Sequence, residues 1–133
     1  MARRSIEVEH LSHGANPIPA ASRVGNVIMT GGIAGGDPAN GIVPDDARLQ
    51  VAHAFANLRN ILAAAGASPD DVVKLAISVR TFDLRTAINE EWLAMFPDAA
   101  SRPARHVTRY DHFGANIALQ LEAYAVIDGG DVR

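Results

Sequence analysis

Cysteine is absent from this chain of 133 residues, which excludes a disulfide framework, a thiolate metal site and a cysteine nucleophile. Lysine is almost absent. Lys74 is the single lysine among twelve lysine and arginine residues, so Schiff-base chemistry would rest on that amine alone, and its place in an alternating stretch reads as the polar face of a strand. Positive charge is not in excess either: fifteen acidic side chains outweigh twelve basic ones for a net charge of −3, and nothing supplies the basic surface that dominates affinity for a phosphate backbone. No apolar run approaches the roughly 18 to 20 residues needed to cross a bilayer. Arg3-Arg4 leads into the polar Ser5-Ile6-Glu7-Val8-Glu9-His10, which does not read as a signal peptide. The expectation is a cytoplasmic protein that engages neither membrane nor nucleic acid.

What is present has the composition of an ordinary globule, 48% apolar and 20% charged, at the size of one domain spanning 1–133. Ile6 to Glu9 alternates like a half-buried strand, and His13 to Pro19 is loop. Gly25-Asn26 suits a hairpin turn before the β-prone Val27-Ile28-Met29-Thr30, and the glycine-rich Gly31 to Gly41 follows as loop. Pro44-Asp45-Asp46 marks a helix start, and Val51, Phe55, Leu58 and Leu62 recur at helical spacing up to a stop at Gly66. Val73, Leu75, Ile77 and Val79 alternate with polar or small residues as a strand, and a second helix is expected from about Leu84 to Phe96. Ala104 to Tyr110 reads as a polar strand, and Ile117 to Ala125 as the longest one. The order predicts an α/β fold, one sheet of about six strands with two helices on one face. Lys74, Ser78, Gln120 and Glu122 fall on the other face, which has no helix left to cover it; a subunit interface would.

Most chemical signatures are missing. The glycine cluster at Gly31 to Gly36 lacks both G-x-G-x-x-G and a Walker lysine, so it reads as a wide turn or a place where a ligand approaches backbone N–H groups. The five histidines, His10, His13, His53, His106 and His112, show no i, i+4 pair; His10 and His13 fall on a strand end and a loop with no carboxylate partner read nearby. No metal site is expected, and no G-x-S-x-G elbow supports a serine triad. Arg105 leaves two readings open. It stands at the start of a strand whose neighbour is expected to carry Gln120 and Glu122, so its guanidinium either pairs with Glu122 or projects into a polar cleft, where its fork suits a carboxylate.

Six segments in order carry a resemblance: Gly25 to Gly32; Gln50 through Asn57-Leu58 to Gly66; Asp71-Val72-Val73-Lys74; Ile88-Asn89-Glu90-Glu91-Trp92; Pro103-Ala104-Arg105; and Leu121-Glu122-Ala123-Tyr124-Ala125. Together the chain resembles the YjgF/RidA family of reactive-intermediate or imine deaminases over nearly its whole length. That resemblance implies a chorismate-mutase-like fold, a homotrimer whose sheets pack into a central barrel, and ligand clefts between subunits. It further implies a hydrolase that converts 2-imino acids or their enamine tautomers to 2-keto acids and ammonia without metal or organic cofactor. Arg105 would clamp the carboxylate of a small substrate, fixing it beside a water and so lowering the entropic cost of attack. Gln120, with backbone groups near Gly31 and Val107, would position that water, and Ile18, Asn89 and Glu122 would complete the lining.

Three departures from the family pattern bear on the chemistry. Ile18 stands where the deaminating members carry tyrosine, Gly31 where they carry serine, and Gln120 where they carry glutamate. Glutamine holds a water by hydrogen bonds but exchanges no proton at neutral pH. The alternative to a deaminase is therefore a non-catalytic trimer that binds small carboxylates or metabolites through the same clefts. The nuclease and translation-inhibitor roles described for some relatives rank third, since the acidic chain gives no physical reason for them.

Overall fold

The computed structural model describes residues 2–11 and 13–128. Six strands and two helices follow the chain: β1 (Arg4–Ile6), β2 (Ala21–Val24), β3 (Val27–Thr30), α1 (Ala47–Ala64), β4 (Val72–Val79), α2 (Arg85–Met95), β5 (Ala104–Arg109) and β6 (Leu119–Val126). The strands form one sheet in the order β1-β2-β3-β6-β4-β5, antiparallel throughout except between β4 and β5. That parallel pair is joined through α2, the crossover that parallel strands require.

Local chemistry sets the ends of these elements. Gly25 takes φ +57° at the β2–β3 turn, a conformation that costs glycine nothing. The Asp46 carboxylate accepts from the N–H groups of Arg48 and Leu49 and caps α1, and Gly66 at φ +81° closes its far end. Between those caps Val51, Ala54, Phe55, Leu58, Ile61 and Leu62 are buried, the stripe expected from the spacing. They pack with Ile28, Leu75, Ile77, Val79, Leu119, Leu121 and Ala123 of the sheet and with Ala87, Ile88, Trp92 and Met95 of α2. Both helices thus share one sheet face.

Two polar side chains are fully buried within the stripe of α1. Gln50 Nε2 donates to the carbonyls of Pro44 (2.7 Å) and Asn116 (2.8 Å), while its Oε1 accepts from the Ala118 N–H (2.8 Å). Asn57 Nδ2 donates to the carbonyls of Ala34 (3.1 Å) and Gly36 (2.8 Å). Together these amides tie the glycine-rich loop and the approach to β6 onto the helix, satisfying backbone groups that would otherwise be buried unpaired.

Three expectations are corrected. The first strand ends at Ile6 and begins earlier, at Arg4, because its partner β2 supplies pairs only for Arg4, Ser5 and Ile6; the Leu11 N–H then turns back onto the Val8 carbonyl. Val73 is not core: the register shifts between Val72 and Lys74, and the bulge leaves Val73 55% exposed. The neighbour of β5 is β4, not the strand carrying Gln120 and Glu122, since β4 lies between β5 and β6.

Candidate functional site

Register decides which side chains can meet. Arg105 pairs with Leu75 and Val107 with Ile77, so both share the helix-covered face. Gln120 pairs with Ser78 and Glu122 with Ala76, on the open face. Within one chain Arg105 and Gln120 therefore lie on opposite faces, two strands across the sheet and three residues along it, roughly 14 Å apart. The intrachain Arg105–Glu122 ion pair does not form. Glu122 instead accepts a hydrogen bond from the Tyr124 hydroxyl, and the bond and charge of that carboxylate push the Tyr124 phenol up from its ordinary value.

The sequence-selected residues fall into two separate groups. Ile18, Gly31 and Gln120 line a cavity of about 750 Å³ bounded by the loop after β1, the end of β3 and the start of β6; His10, His13 and Asn16 line it too. Asn89, Arg105 and Val107 gather on the other side of the molecule, where Arg105 and Val107 share a narrow cleft with Phe82, Arg85 and Ile88. Glu122 belongs to neither. The backbone near Gly31 and the backbone near Val107 are likewise held apart, three strands away from each other.

The cleft presents a braced cation. Arg105 Nη1 donates to Asn89 Oδ1 at 2.9 Å, and its guanidinium carbon lies 4.9 Å from the centre of the Trp92 ring, one turn further along α2. No carboxylate lies within ion-pair distance of Arg105 among the described residues. Burial lowers its pKa from the ordinary arginine value and the Arg85 charge lowers it further, yet the group stays protonated across the neutral range. A partly desolvated guanidinium without a counter-ion, held by a neutral amide and an indole face, has its capacity for an anion unused.

The cavity, by contrast, is neutral and hydrogen-bonding. A Cβ on Gly32 would stand 2.8 Å from Gln120 Oε1, so only glycine allows that amide to lie against the backbone there. His13 lies beside Gly31 at ordinary contact distance, 3.4 Å from where a Cβ would stand to its Cε1. His10 has a carboxylate neighbour that the sequence reading missed, with Nε2 3.4 Å from Glu9 Oε1.

Several residues escaped sequence reasoning. Trp92 and Arg85 follow from Asn89 by helical spacing, and that spacing was the available signal. Gln50 and Asn57 betray themselves as two amides one heptad apart on an apolar stripe. His13 gave no signal, because a loop brings it to Gly31. Among the described residues no group of three or more histidine, aspartate or glutamate side chains is gathered where it could hold a metal, and no helix is long and apolar enough to cross a membrane.

Comparison with known proteins places this geometry. A family model described as Endoribonuclease L-PSP matches residues 9–127. A RutC family protein of Pyrococcus abyssi is 31% identical over 126 residues, covering 94% of this chain and 98% of that protein. The 2-iminobutanoate/2-iminopropanoate deaminase of Escherichia coli is 27% identical over 124 residues, covering 92% and 97%. A Thermotoga maritima crystal structure, provisionally assigned as an endoribonuclease, superposes with a TM-score of 0.85 at 30% identity, covering 97% of this chain and all of that one.

Proposed function

This chain belongs to the YjgF/RidA family, the one described as Endoribonuclease L-PSP, and we propose that within it the protein hydrolyses small 2-imino acids or enamines to 2-keto acids and ammonia. The observation that carries this reading is Arg105: a braced, partly desolvated guanidinium with no carboxylate partner among the described residues, opening on a cleft. It would hold the substrate carboxylate through two parallel hydrogen bonds, with Asn89 and Trp92 keeping the fork oriented.

The cleft alone is too narrow and too poor in polar groups to complete the reaction, whereas the cavity beside Gly31 has room and an amide but no cation. We therefore take the working site to be shared: Arg105, Asn89 and Val107 from one copy meet Gly31, Ile18 and Gln120 of the next, in a homotrimer. The open sheet face supports such an assembly, since Val24, Val27, Met29 and Val126 are exposed there together with Lys74 and the Glu122–Tyr124 pair. Gln120 would hold the attacking water, and Glu122, hydrogen-bonded to Tyr124, supports the interface rather than the chemistry.

The test generates 2-iminopropionate with an amino-acid oxidase and follows its loss against the spontaneous rate. Acceleration by the wild type and its loss in Arg105→Ala are expected. No acceleration, or full activity in Arg105→Ala, contradicts the proposal.

One observation favours a second reading, a trimer that binds small carboxylates without turning them over: Gln120 cannot carry a proton. A carboxylate that raises the melting temperature of the wild type but not of Arg105→Ala, with no turnover, would establish that reading instead.

A further inference from the structure

The cavity beside Gly31 contains imidazoles able to do what Gln120 cannot. A Cβ added to Gly31 would lie 3.4 Å from His13 Cε1 and 3.8 Å from His13 Nε2, so the imidazole edge occupies the space into which any larger residue at position 31 would extend. On the adjacent residue Gln120 comes closer, so that a Cβ on Gly32 would stand 2.8 Å from its Oε1. His13 and Gln120 thus both line this cavity, beside two consecutive glycines.

Of the residues that line this cavity, the titratable ones are His10 and His13. The lining contributed by the end of β3, by β6 and by the 41–43 segment, namely Gly31, Gly32, Gln120, Gly41 and Val43, carries no charge. His10 faces Glu9. The His13 side chain makes no hydrogen bond or ion pair among the described residues, while its carbonyl accepts from the Asn16 N–H at 3.3 Å and so anchors the loop that presents it.

We propose that His13 is the general acid–base of this cavity, taking the place of a carboxylate at position 120. This rests on the deaminase reading above. Neutral imidazole accepts a proton from water as its oxygen bonds to the imine carbon and the C=N π pair moves to nitrogen. The imidazolium then returns that proton to the nitrogen. As the C–N bond breaks, the remaining hydroxyl proton leaves with ammonia and C=O forms. The balance is an iminium carboxylate plus water giving a 2-keto carboxylate plus ammonium, with His13 regenerated.

The test is the pH profile of 2-iminopropionate hydrolysis by the wild type, His13→Gln and the double variant His13→Gln/Gln120→Glu. A pH-dependent limb that requires His13 is expected in the wild type. In His13→Gln, kcat should fall about 100-fold or more with that limb gone and KM nearly unchanged. The double variant should regain activity, with its limb moved into the carboxylate range. Pyruvate should stabilise His13→Gln thermally as it does the wild type, because Arg105 is untouched. If His13→Gln keeps kcat within about twofold, or keeps the wild-type limb, His13 is not the proton carrier although the deaminase reading stands. No acceleration by the wild type overturns both. If His13→Gln does not fold, the wild-type profile decides, and a rate without any pH-dependent limb contradicts the proposal.

Discussion

The cavity beside Gly31 and the cleft around Arg105 differ in the resources they offer a ligand. The cavity encloses about 750 Å³, and its polar lining is made of Gln120, Asn16 and two histidines. The cleft is narrow, yet it concentrates the positive charge of Arg85 and Arg105 against Val79, Ile88 and Val107. Room and hydrogen bonds are on one side of the chain, and a guanidinium without a carboxylate partner among the described residues is on the other. A small acid bound to one protomer would have either a grip without a reaction chamber or a chamber without a grip. The physical lesson is that the sheet separates the two side chains by register: Leu75 and Ser78 of β4, an odd number of residues apart and so on opposite faces, pair with Arg105 and with Gln120, so a single chain cannot fold them together.

Breaking either half should have unequal effects. The largest loss is expected from Arg105→Ala, which removes charge-assisted hydrogen bonds worth roughly 1.5–3 kcal/mol each and should reduce kcat/KM for 2-iminopropionate by about 100-fold or more. Gln50→Ala strikes the cavity side through stability. It removes three hydrogen bonds of a fully buried side chain, to a buried N–H and two partly buried carbonyls, and should destabilise the fold by about 2–4 kcal/mol in chemical denaturation.

Asn89→Ala sharpens the comparison on the cleft side. It removes the one hydrogen bond from the guanidinium to a neutral amide and leaves Arg105 on the Trp92 face alone, so a roughly 3- to 10-fold rise in the Kd for pyruvate is expected, read by thermal shift or calorimetry, with folding stability little changed. The smallest effect concerns the open face. Because Glu122 raises the Tyr124 pKa, the folded state favours the protonated phenol; that contribution is complete below the ordinary tyrosine value of about 10 and is lost as pH rises through the higher folded value. Ultraviolet titration in a Tyr110→Phe background should place Tyr124 above a free tyrosine, and Glu122→Gln should bring it down.

Much of the frame was legible because each element carried its own punctuation. α1 announced itself by Asp46, a continuous apolar stripe and Gly66, and the β2–β3 hairpin by Gly25-Asn26. The failures share a cause: they concern what lies beside what. Alternation in 73–79 could not reveal that a bulge would turn Val73 outward, and nothing local in 104–109 says that β4 rather than β6 is its neighbour. For Arg105 the pattern leaves an ion pair with Glu122 and a polar cleft both open; the side chains that hold it, Asn89 and Trp92, come from a helix sixteen and thirteen residues earlier. His13 reads as an isolated loop histidine in the sequence, because its approach to Gly31 is a tertiary contact with the end of β3.

The central claim, a site assembled from two copies, is tested most directly by complementation. Arg105→Ala lacks the anchor, and Gly31→Phe fills the cavity next to His13; each should be inactive alone. When the two are unfolded together and refolded as mixed oligomers, some interfaces will join an intact cavity from the first variant to an intact Arg105 from the second. Recovery of deaminase activity in the mixture is the predicted result. Mixed oligomers that form and remain inactive would contradict the shared site.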